Sequence, residues 1–326
     1  MPQHSKPSCD PSRFCRRIEF AMSAECLLSA GIDIGGTKIA LGLVSRDGTI
    51  LRRQSFATSR EFGDAISRME SAVHELLRAQ SVDVSALAGI GIGCAGPVNP
   101  RTGVVNNPYT LPGWDGGNLI GSLQGRLGLP VYLENDADAA LLGESLAGAA
   151  CGFDPVVMLT FGTGIGGAAM SRGAVFRGAG GEHPEIGHLP VLPVGPPCYC
   201  GRAGCFESIA SGASIEKAGA TYGFQSAREV FTMAAAGDSN AQAIINQALE
   251  ATAAAAWALV HSFLPERFIL GGGIIDDHFQ IFADAVRRSI DSATMVPRNQ
   301  ITVARAALGN DAGLVGAASL VFRDAL

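Results

Sequence analysis

The chain of 326 residues carries little charge, since 17% of its residues are charged and 47% are apolar. So low a charged fraction excludes a disordered chain and predicts a sizeable buried core, and the length suggests about two domains. The net charge of −6 also shows that there is no excess of basic residues. Because binding to a phosphate backbone needs a concentrated basic surface, we expect no nucleic-acid partner.

The sequence also lacks a recognisable secretory signal and an uninterrupted membrane span. Residues 1–26 have no helical or strand period and only a short, broken apolar run, so we expect a flexible leader. The apolar stretch 241–264 is interrupted by Gln242, Glu250 and His261, and its helical spacing predicts a buried core helix. We therefore expect a cytoplasmic, reducing location and no membrane partner. In a reducing compartment, clustered cysteines bind metal more often than they form disulfides.

Aromatic residues are few, at 6%, whereas glycine is abundant, with 42 residues. The glycines cluster, and GIDIGGTK (31–38) lies inside a predicted β-meander that recurs about 128 residues later around LTFGTGIGG (159–167). The recurrence predicts an internally duplicated α/β unit. Two such halves, each with a glycine turn, suggest a nucleotide bound in a cleft between them.

The first glycine turn has the residue types that hold phosphate. Gly35 and Gly36 let backbone amides approach a ligand, Thr37 and Lys38 add donors, and Asp33 is placed to hold Mg²⁺ through water. An ordinary glycine hairpin explains one such turn equally well, but the second turn strengthens the reading as a nucleoside triphosphate site.

Two further glycine clusters are candidates for nucleotide contact. The third follows a buried strand and suits an adenosine lying against backbone, although a strand-to-helix turn also explains it. The residues are Gly162, Thr163 and Gly164 in the second turn, and Gly271, Gly272 and Gly273 in the third cluster.

A run of polar residues, Glu134, Asn135 and Asp136, ends a predicted strand and precedes a helix. Ligands of open α/β sheets gather at the carboxyl ends of strands, so a catalytic carboxylate is one interpretation. A helix N-cap formed by Asn135 or Asp136 is the other, and the residues alone favour it.

Three of the eight cysteines lie within eight residues. His188, Cys198, Cys200 and Cys205 supply four nitrogen and sulfur ligands, which is a closed tetrahedral set for a structural Zn²⁺. Such a site would staple a loop that the core alone would not hold. Glu185 and Glu207 lie close to these predicted zinc ligands. Either the metal site holds them rigid so that they hydrogen-bond a polyhydroxyl substrate, or they are ordinary solvated glutamates.

Together these motifs resemble the ROK family of bacterial sugar kinases, within the actin-like ATPase superfamily, over about residues 28–320. The most specific part is EIGH…CYCGRAGCFE (185–207), joined by DIGGTK (33–38) and FGTGIGG (161–167). The resemblance implies two actin-like (ribonuclease H-like) α/β domains with an interdomain active-site cleft. Their expected limits are 27–137 plus 311–326 for the small domain, and 138–310 for the large domain with the zinc loop.

The resemblance also implies the chemistry. It makes Asp136 the catalytic base of an ATP- and Mg²⁺-dependent sugar kinase that retains a structural Zn²⁺, and it favours a homodimer. The residues expected to bind the sugar are Asn107, Asn135, Asp136, Glu185, His188 and Glu207.

The identity of the sugar is the open question within this resemblance. NNPYTLPGW (106–114) and GNDAGLVGAA (309–318) are similar to glucokinases, so phosphorylation of glucose at its 6-hydroxyl is expected. HPEIGH (183–188) and CYCG are similar to fructokinase and manno(fructo)kinase members, and N-acetylmannosamine and N-acetylglucosamine kinases share most motifs. From other classes, a non-catalytic sugar-sensing regulator and an ATPase acting on a protein partner remain alternatives.

Overall fold

The computed structural model describes residues 28–323, which form two five-stranded sheets with helices around them. The predicted leader, 1–26, lies outside the described residues. The first unit is an antiparallel meander followed by alternating helices and parallel strands. Its elements are β1 (Leu28–Ile34), β2 (Lys38–Ser45), β3 (Ile50–Ala57), α1 (Phe62–Gln80), β4 (Leu87–Cys94), α2 (Leu119–Leu127), β5 (Val131–Asn135) and α3 (Asp136–Ala147).

The second unit repeats the meander and then inserts several helices before its two parallel strands. The elements are β6 (Val156–Phe161), β7 (Ile165–Ser171), β8 (Ala174–Val175), α4 (Glu207–Ala210), α5 (Gly212–Ala220), α6 (Ala227–Ala235), α7 (Ser239–Phe263), β9 (Arg267–Gly271), α8 (Gly273–Ser292) and β10 (Thr302–Arg305). A last helix, α9 (Ala312–Ser319), follows the final strand and returns to the first unit, where it packs against α3 and β1.

The two sheets have the same topology. The strand order is β3-β2-β1-β4-β5 in the first sheet and β8-β7-β6-β9-β10 in the second. In each, the first strand of the meander also pairs in parallel with the strand that follows the meander. This equivalence agrees with the duplication inferred from the two glycine turns. The finer domain limits, at residues 137 and 311, stay predictions.

The apolar spacing of α1 explains how the first sheet is covered. Ile66, Met69, Val73, Leu76 and Leu77 recur at helical intervals, and all five side chains are buried. Burying a side chain of this size stabilises a fold by about 1.5–3 kcal/mol. This face therefore holds α1 on the meander, as its periodicity predicts.

The long helix α7 supplies the core of the second unit. It is the one helix within residues 28–323 that is long and apolar enough to cross a membrane, and half of its most apolar window is buried. Its inner face, which includes Ile244, Ala248, Ala255 and Leu259, packs in the hydrophobic core of the second unit. The prediction of a core helix at 241–264 is confirmed.

Helices α3 and α9 pack unusually closely, because glycine and alanine face each other across the contact. A Cβ added to Gly316 would lie 1.6 Å from the carbonyl oxygen of Ala139, and one added to Gly143 would lie 2.2 Å from that of Ala312. No other residue type fits at these positions without moving a helix. The last helix is thus fixed against the helix that begins at Asp136.

A single buried carboxylate, that of Glu144 on α3, ties together the two segments that connect the units. It accepts the backbone N–H of Ala149, in the connection from α3 to β6, at 2.6 Å. It also accepts those of Ala307 at 3.0 Å and Leu308 at 2.8 Å, in the connection from β10 to α9. A buried charge is tolerated only when it is so compensated.

Replacing this carboxylate should destabilise the whole chain. We expect Glu144→Ala to lower the free energy of unfolding by about 2–4 kcal/mol, because it leaves three backbone donors without their acceptor. Urea denaturation followed by circular dichroism measures the change. Glu250→Ala, at an exposed position of α7, is the matched control and should cost less than about 0.5 kcal/mol. Equal midpoints for the two variants would contradict the role given to Glu144.

Candidate active site

The first glycine turn joins β1 to β2 and is closed by a hydrogen bond from the Gly35 N–H to the Lys38 carbonyl oxygen at 3.0 Å. Gly36, Thr37 and Lys38 are exposed, so their donors are available to a ligand. A Cβ on Gly36 would lie 2.6 Å from the methyl carbon of Thr110. Glycine is therefore required for the loop that carries Thr110 to lie against this turn.

The second glycine turn, between β6 and β7, is closed by the Gly162 N–H, which donates to the Gly164 carbonyl oxygen at 2.9 Å. The start of α5 supports it, since Gly212 donates to Gly162 at 2.9 Å and Ala213 donates to Thr163 at 3.2 Å. Gly162 and Thr163 remain exposed. The two turns predicted to bind phosphate thus occupy equivalent positions in the two sheets.

The third glycine cluster lies directly against the second turn. Gly271 ends β9, which pairs with β6, and Gly272 has a φ of 93° in the left-handed region. A Cβ on Gly272 would lie 2.4 Å from the carbonyl oxygen of Phe161, the residue before the second turn. Gly273, the first residue of α8, is exposed. The structure therefore brings the second turn and the third cluster to one place.

Asp136 is the first residue of α3, at the carboxyl end of β5. The helix N-cap is Asn135, whose side-chain oxygen accepts the N–H of Ala137 at 2.8 Å and of Asp138 at 3.3 Å. One carboxylate oxygen of Asp136 accepts the Ala137 N–H at 2.9 Å. Burial raises the pKa of Asp136. Since Asn135 already caps the helix, Asp136 is not needed for capping, and a carboxylate with a raised pKa suits a general base.

A second carboxylate, Asp33, lies at the same edge of the first sheet, on β1. Burial, followed by the negative charge of Asp136, raises its pKa to about 7, and the positive charge of Lys38 opposes the rise. The charge of Asp136 acts on Asp33 because both residues lie near the carboxyl edge of the first sheet. Asp33 thus lies beside the exposed first glycine turn, as its predicted role of holding Mg²⁺ through water requires.

Two of the predicted sugar-binding residues meet beside Asp136. A Cβ on Gly96, which follows β4, would lie 2.8 Å from the side-chain nitrogen of Asn135 and 3.6 Å from a carboxylate oxygen of Glu185. Glu185 immediately precedes the short 3-10 turn that carries His188, and its carbonyl oxygen accepts the His188 N–H at 3.0 Å. An amide and a carboxylate are thus presented together, as a polyhydroxyl ligand requires.

Asn107, also predicted to bind the sugar, is turned into its own loop. Its side chain is buried and donates to the carbonyl oxygens of Ala95, at 3.2 Å, and Gly96. Its oxygen accepts the Thr110 N–H at 2.9 Å. These bonds give Asn107 the role of shaping the loop between the strand end and the first glycine turn, and a direct contact with the sugar stays a prediction.

The four predicted metal ligands converge. The donor atoms of His188, Cys198, Cys200 and Cys205 all lie within 4.8 Å of one another. His188 Nδ1 is 3.3 Å from Cys198 Sγ, and the Sγ atoms of Cys200 and Cys205 are 3.4 Å apart. Ligands bound tetrahedrally at zinc distances lie about 3.3–3.8 Å from one another. The donor set and its spacing therefore fit a closed zinc site.

Glu207 connects this cysteine loop to the second glycine turn. It begins α4, two residues after Cys205, and one carboxylate oxygen accepts the Ile165 N–H at 2.8 Å. The same oxygen would lie 2.6 Å from a Cβ on Gly164. Besides burial, the charge of Glu207 raises the pKa of Tyr199 in the cysteine loop. Glu207 thus supports the turn, and its predicted contact with the sugar is untested.

Beside Asp136 lies a charged network that the sequence analysis missed. Arg177 bonds both Glu134 and Asp138, and His183 Nδ1 lies 2.7 Å from Asp138 Oδ2. The signal that could have found it is the run ENDAD (134–138), which places three acidic residues at a predicted strand end where burial demands nearby cations.

Most of this chain is similar in sequence to known proteins. Residues 29–324 match the ROK family. The glucokinase of Thermotoga maritima is 34% identical over 316 residues, which are 89% of this chain and 96% of that relative. An N-acetylmannosamine kinase of Escherichia coli is 36% identical over 230 residues, 68% of this chain and 74% of that one.

A solved structure has the same fold. The ROK family glucokinase from Streptomyces griseus, in complex with glucose and AMPPNP, is 33% identical and has a TM-score of 0.74, covering 90% of this chain and 98% of that chain. The α/β fold class predicted from the sequence, with two sheets and flanking helices, is confirmed. The predicted family is also confirmed by a match that extends over nearly all of the described residues. The chain belongs to the ROK family.

Proposed function

We propose that this protein is an ATP-dependent hexose kinase that phosphorylates the 6-hydroxyl of glucose. The observation that carries the proposal is the position of Asp136 at the carboxyl edge of the first sheet. Its carboxylate is not needed to cap the helix, and its pKa is raised. Asn135 and Glu185 lie beside it, and the exposed glycine turn of the same sheet presents phosphate-type donors. The glucokinases among its relatives support glucose as the acceptor.

In this proposal Asp136 is the general base. Its free carboxylate oxygen takes the proton of the 6-hydroxyl as that oxygen attacks the γ-phosphorus in line. Phosphoryl transfer needs little covalent help from a protein, so positioning and neutralisation of charge do most of the work. A base whose pKa burial has raised holds the transferred proton more readily than an exposed aspartate would.

The two glycine turns provide the neutralisation of charge. The exposed amides of Gly36 and Thr37, with the Lys38 ammonium group, face one end of the triphosphate, and the turn at 162–164 faces it from the second sheet. Asp33 is the residue that we expect to hold Mg²⁺ through water. When bound, Mg²⁺ supplies positive charge to the phosphate oxygens.

The sugar is held so that one hydroxyl reaches Asp136. Asn135 and Glu185 supply an amide and a carboxylate close to Gly96. His188 and Glu207 approach from the cysteine loop, and we propose that Zn²⁺ on this loop fixes their positions. Residues that hold several groups of a substrate at once orient its reacting hydroxyl towards the phosphate. This positioning is their main contribution to the rate.

The identity of the sugar is settled by a panel of acceptors. With ATP and Mg²⁺, we expect kcat/KM to be highest for glucose among glucose, mannose, fructose, N-acetylglucosamine and N-acetylmannosamine. A coupled assay for ADP measures it. The N-acetylmannosamine kinase relative makes that sugar the main competitor, and a higher kcat/KM for it would overturn glucose. Sugar binding without turnover would indicate a sensor, and ATP hydrolysis indifferent to sugars would indicate an ATPase for a protein partner.

Removing the base should abolish turnover and leave the fold intact. We expect Asp136→Asn to lower kcat about 10²–10⁴-fold, because an amide cannot accept the hydroxyl proton. Its melting temperature and its affinity for the sugar should change little, since Asn135 still caps the helix. Asp291→Asn, at an exposed position, is the control and should retain wild-type turnover. Wild-type kcat in Asp136→Asn would show that another group accepts the proton.

The cysteine loop should carry metal. We expect about one Zn²⁺ per chain in freshly purified protein, measured by elemental analysis, since the four donors complete a closed tetrahedral set. Cys200→Ser should lose zinc, lower the melting temperature and weaken sugar binding, whereas Arg202→Ala in the same loop should retain the metal. Freshly purified wild-type protein that contains no zinc would refute the site. Assembly as a homodimer and a cytoplasmic location stay predictions.

A further inference from the structure

The carboxylate of Asp138 is fully buried behind the proposed active site, in the first turn of α3. Its Oδ2 receives two cationic groups, the guanidinium of Arg177 and Nδ1 of His183, the latter at 2.7 Å. Its Oδ1 has no hydrogen-bond partner among residues 28–323. A buried carboxylate with one oxygen unpaired depends strongly on the charges that face its other oxygen.

Arg177 is shared with a second buried carboxylate, and so cannot compensate Asp138 alone. Its other terminal nitrogen pairs with Glu134, whose remaining oxygen accepts the Asn135 N–H at 2.8 Å. Burial raises the pKa of Glu134 to about 7, although the charge of Arg177 opposes the rise. One permanent cation therefore serves two acidic groups, and a protonated His183 supplies the second positive charge.

The surroundings of His183 favour that protonated form. Burial disfavours the charge on the imidazole, but the hydrogen bond and charge of Asp138, with the charges of Glu185 and Asp136, outweigh burial and raise the pKa of His183. The charged groups around it and around Asp136 are Asp33, Glu134, Asp136, Asp138, Arg177 and Glu185, with Arg101 packed against the nearby Gly181.

His183 also lies where it can connect the two halves of the site. Only Pro184 separates it from Glu185, and the turn that carries His188 follows at once. Through Asp138 it is fixed to the helix whose first residue is Asp136. The imidazolium charge lowers the pKa of Asp136 against the effect of burial. One side chain thus connects the sugar-holding turn with the proposed base.

We propose that His183, held by Asp138, is a positioning residue of this kinase, which fixes Glu185 relative to Asp136 and places a positive charge near the Asp136 carboxylate before the sugar binds. The inference rests on the proposed function, because it assigns the role relative to Asp136 as base. His183 itself neither touches the phosphate nor accepts the hydroxyl proton.

The sign of the effect follows from the base. Asp136 works deprotonated, so kcat/KM falls on the acidic side as Asp136 is protonated. His183→Gln keeps a donor for Asp138 but removes the positive charge, which raises the pKa of Asp136. The acid limb of the kcat/KM profile should therefore move to higher pH, by about one unit for a charge close to the carboxylate.

The experiment compares pH profiles of kcat/KM and the KM for the sugar in wild-type protein and three variants. His183→Gln should shift the acid limb upward and raise KM several-fold, while recovering much of its turnover at the alkaline end. His183→Lys restores a positive charge and should return the limb close to its wild-type position. His74→Gln, on the exposed face of α1, is the matched control and should change neither quantity.

The proposal would be overturned if the acid limb of the kcat/KM profile stays in place in a folded His183→Gln variant. It would also be overturned if His183→Lys shifts that limb as far as His183→Gln does. A second readout is independent of catalysis. Nitrogen-15 spectra of the six histidine side chains should contain one imidazole that stays protonated above the ordinary histidine pKa and disappears in His183→Gln.

The two failures can be told apart. A wild-type protein that phosphorylates no sugar at any pH rejects the proposed function, whatever the spectra show. An active wild-type enzyme whose His183 titrates like the other histidines rejects the positioning role and leaves the kinase proposal intact.

Discussion

The burial of negative charge at the start of α3 is the constraint on which the rest of the site depends. Glu134, Asp136 and Asp138 lie within five residues; Glu134 and Asp138 are buried, and Asp136 is half-buried. Leaving such charges unpaired costs several kcal/mol each, so the fold must bring donors to them. The helix N-terminus does so through its amides and dipole, and Arg177 and His183 do so from a distant segment.

Motifs that are contiguous in the chain could be predicted from the sequence. The two glycine turns, the cysteine loop and the capped start of α3 each depend on residues close together in the sequence, and each forms where the spacing places it. The duplication was also visible, because both halves begin with the same strand–turn–strand pattern. The sheet topology follows from that repeat, since equivalent strands pair in the same order.

Contacts between distant segments were not predictable from one sequence. Nothing in the spacing shows that Arg177 reaches Glu134 and Asp138, or that Glu144 receives amides from Ala307 and Leu308. These facts depend on how the two sheets are set against each other, and local periodicity carries no information on that.

The carboxylate of Glu144 has a mechanical consequence. Both connections between the units donate to it, one at Ala149 and the other at Ala307 and Leu308. Sliding one connection past the other would strand a buried charge, whereas a small rotation about the shared oxygens preserves the hydrogen bonds, whose geometry tolerates tens of degrees. The joint is therefore a pin, which resists shear between the two halves and leaves turning as the motion of lowest cost.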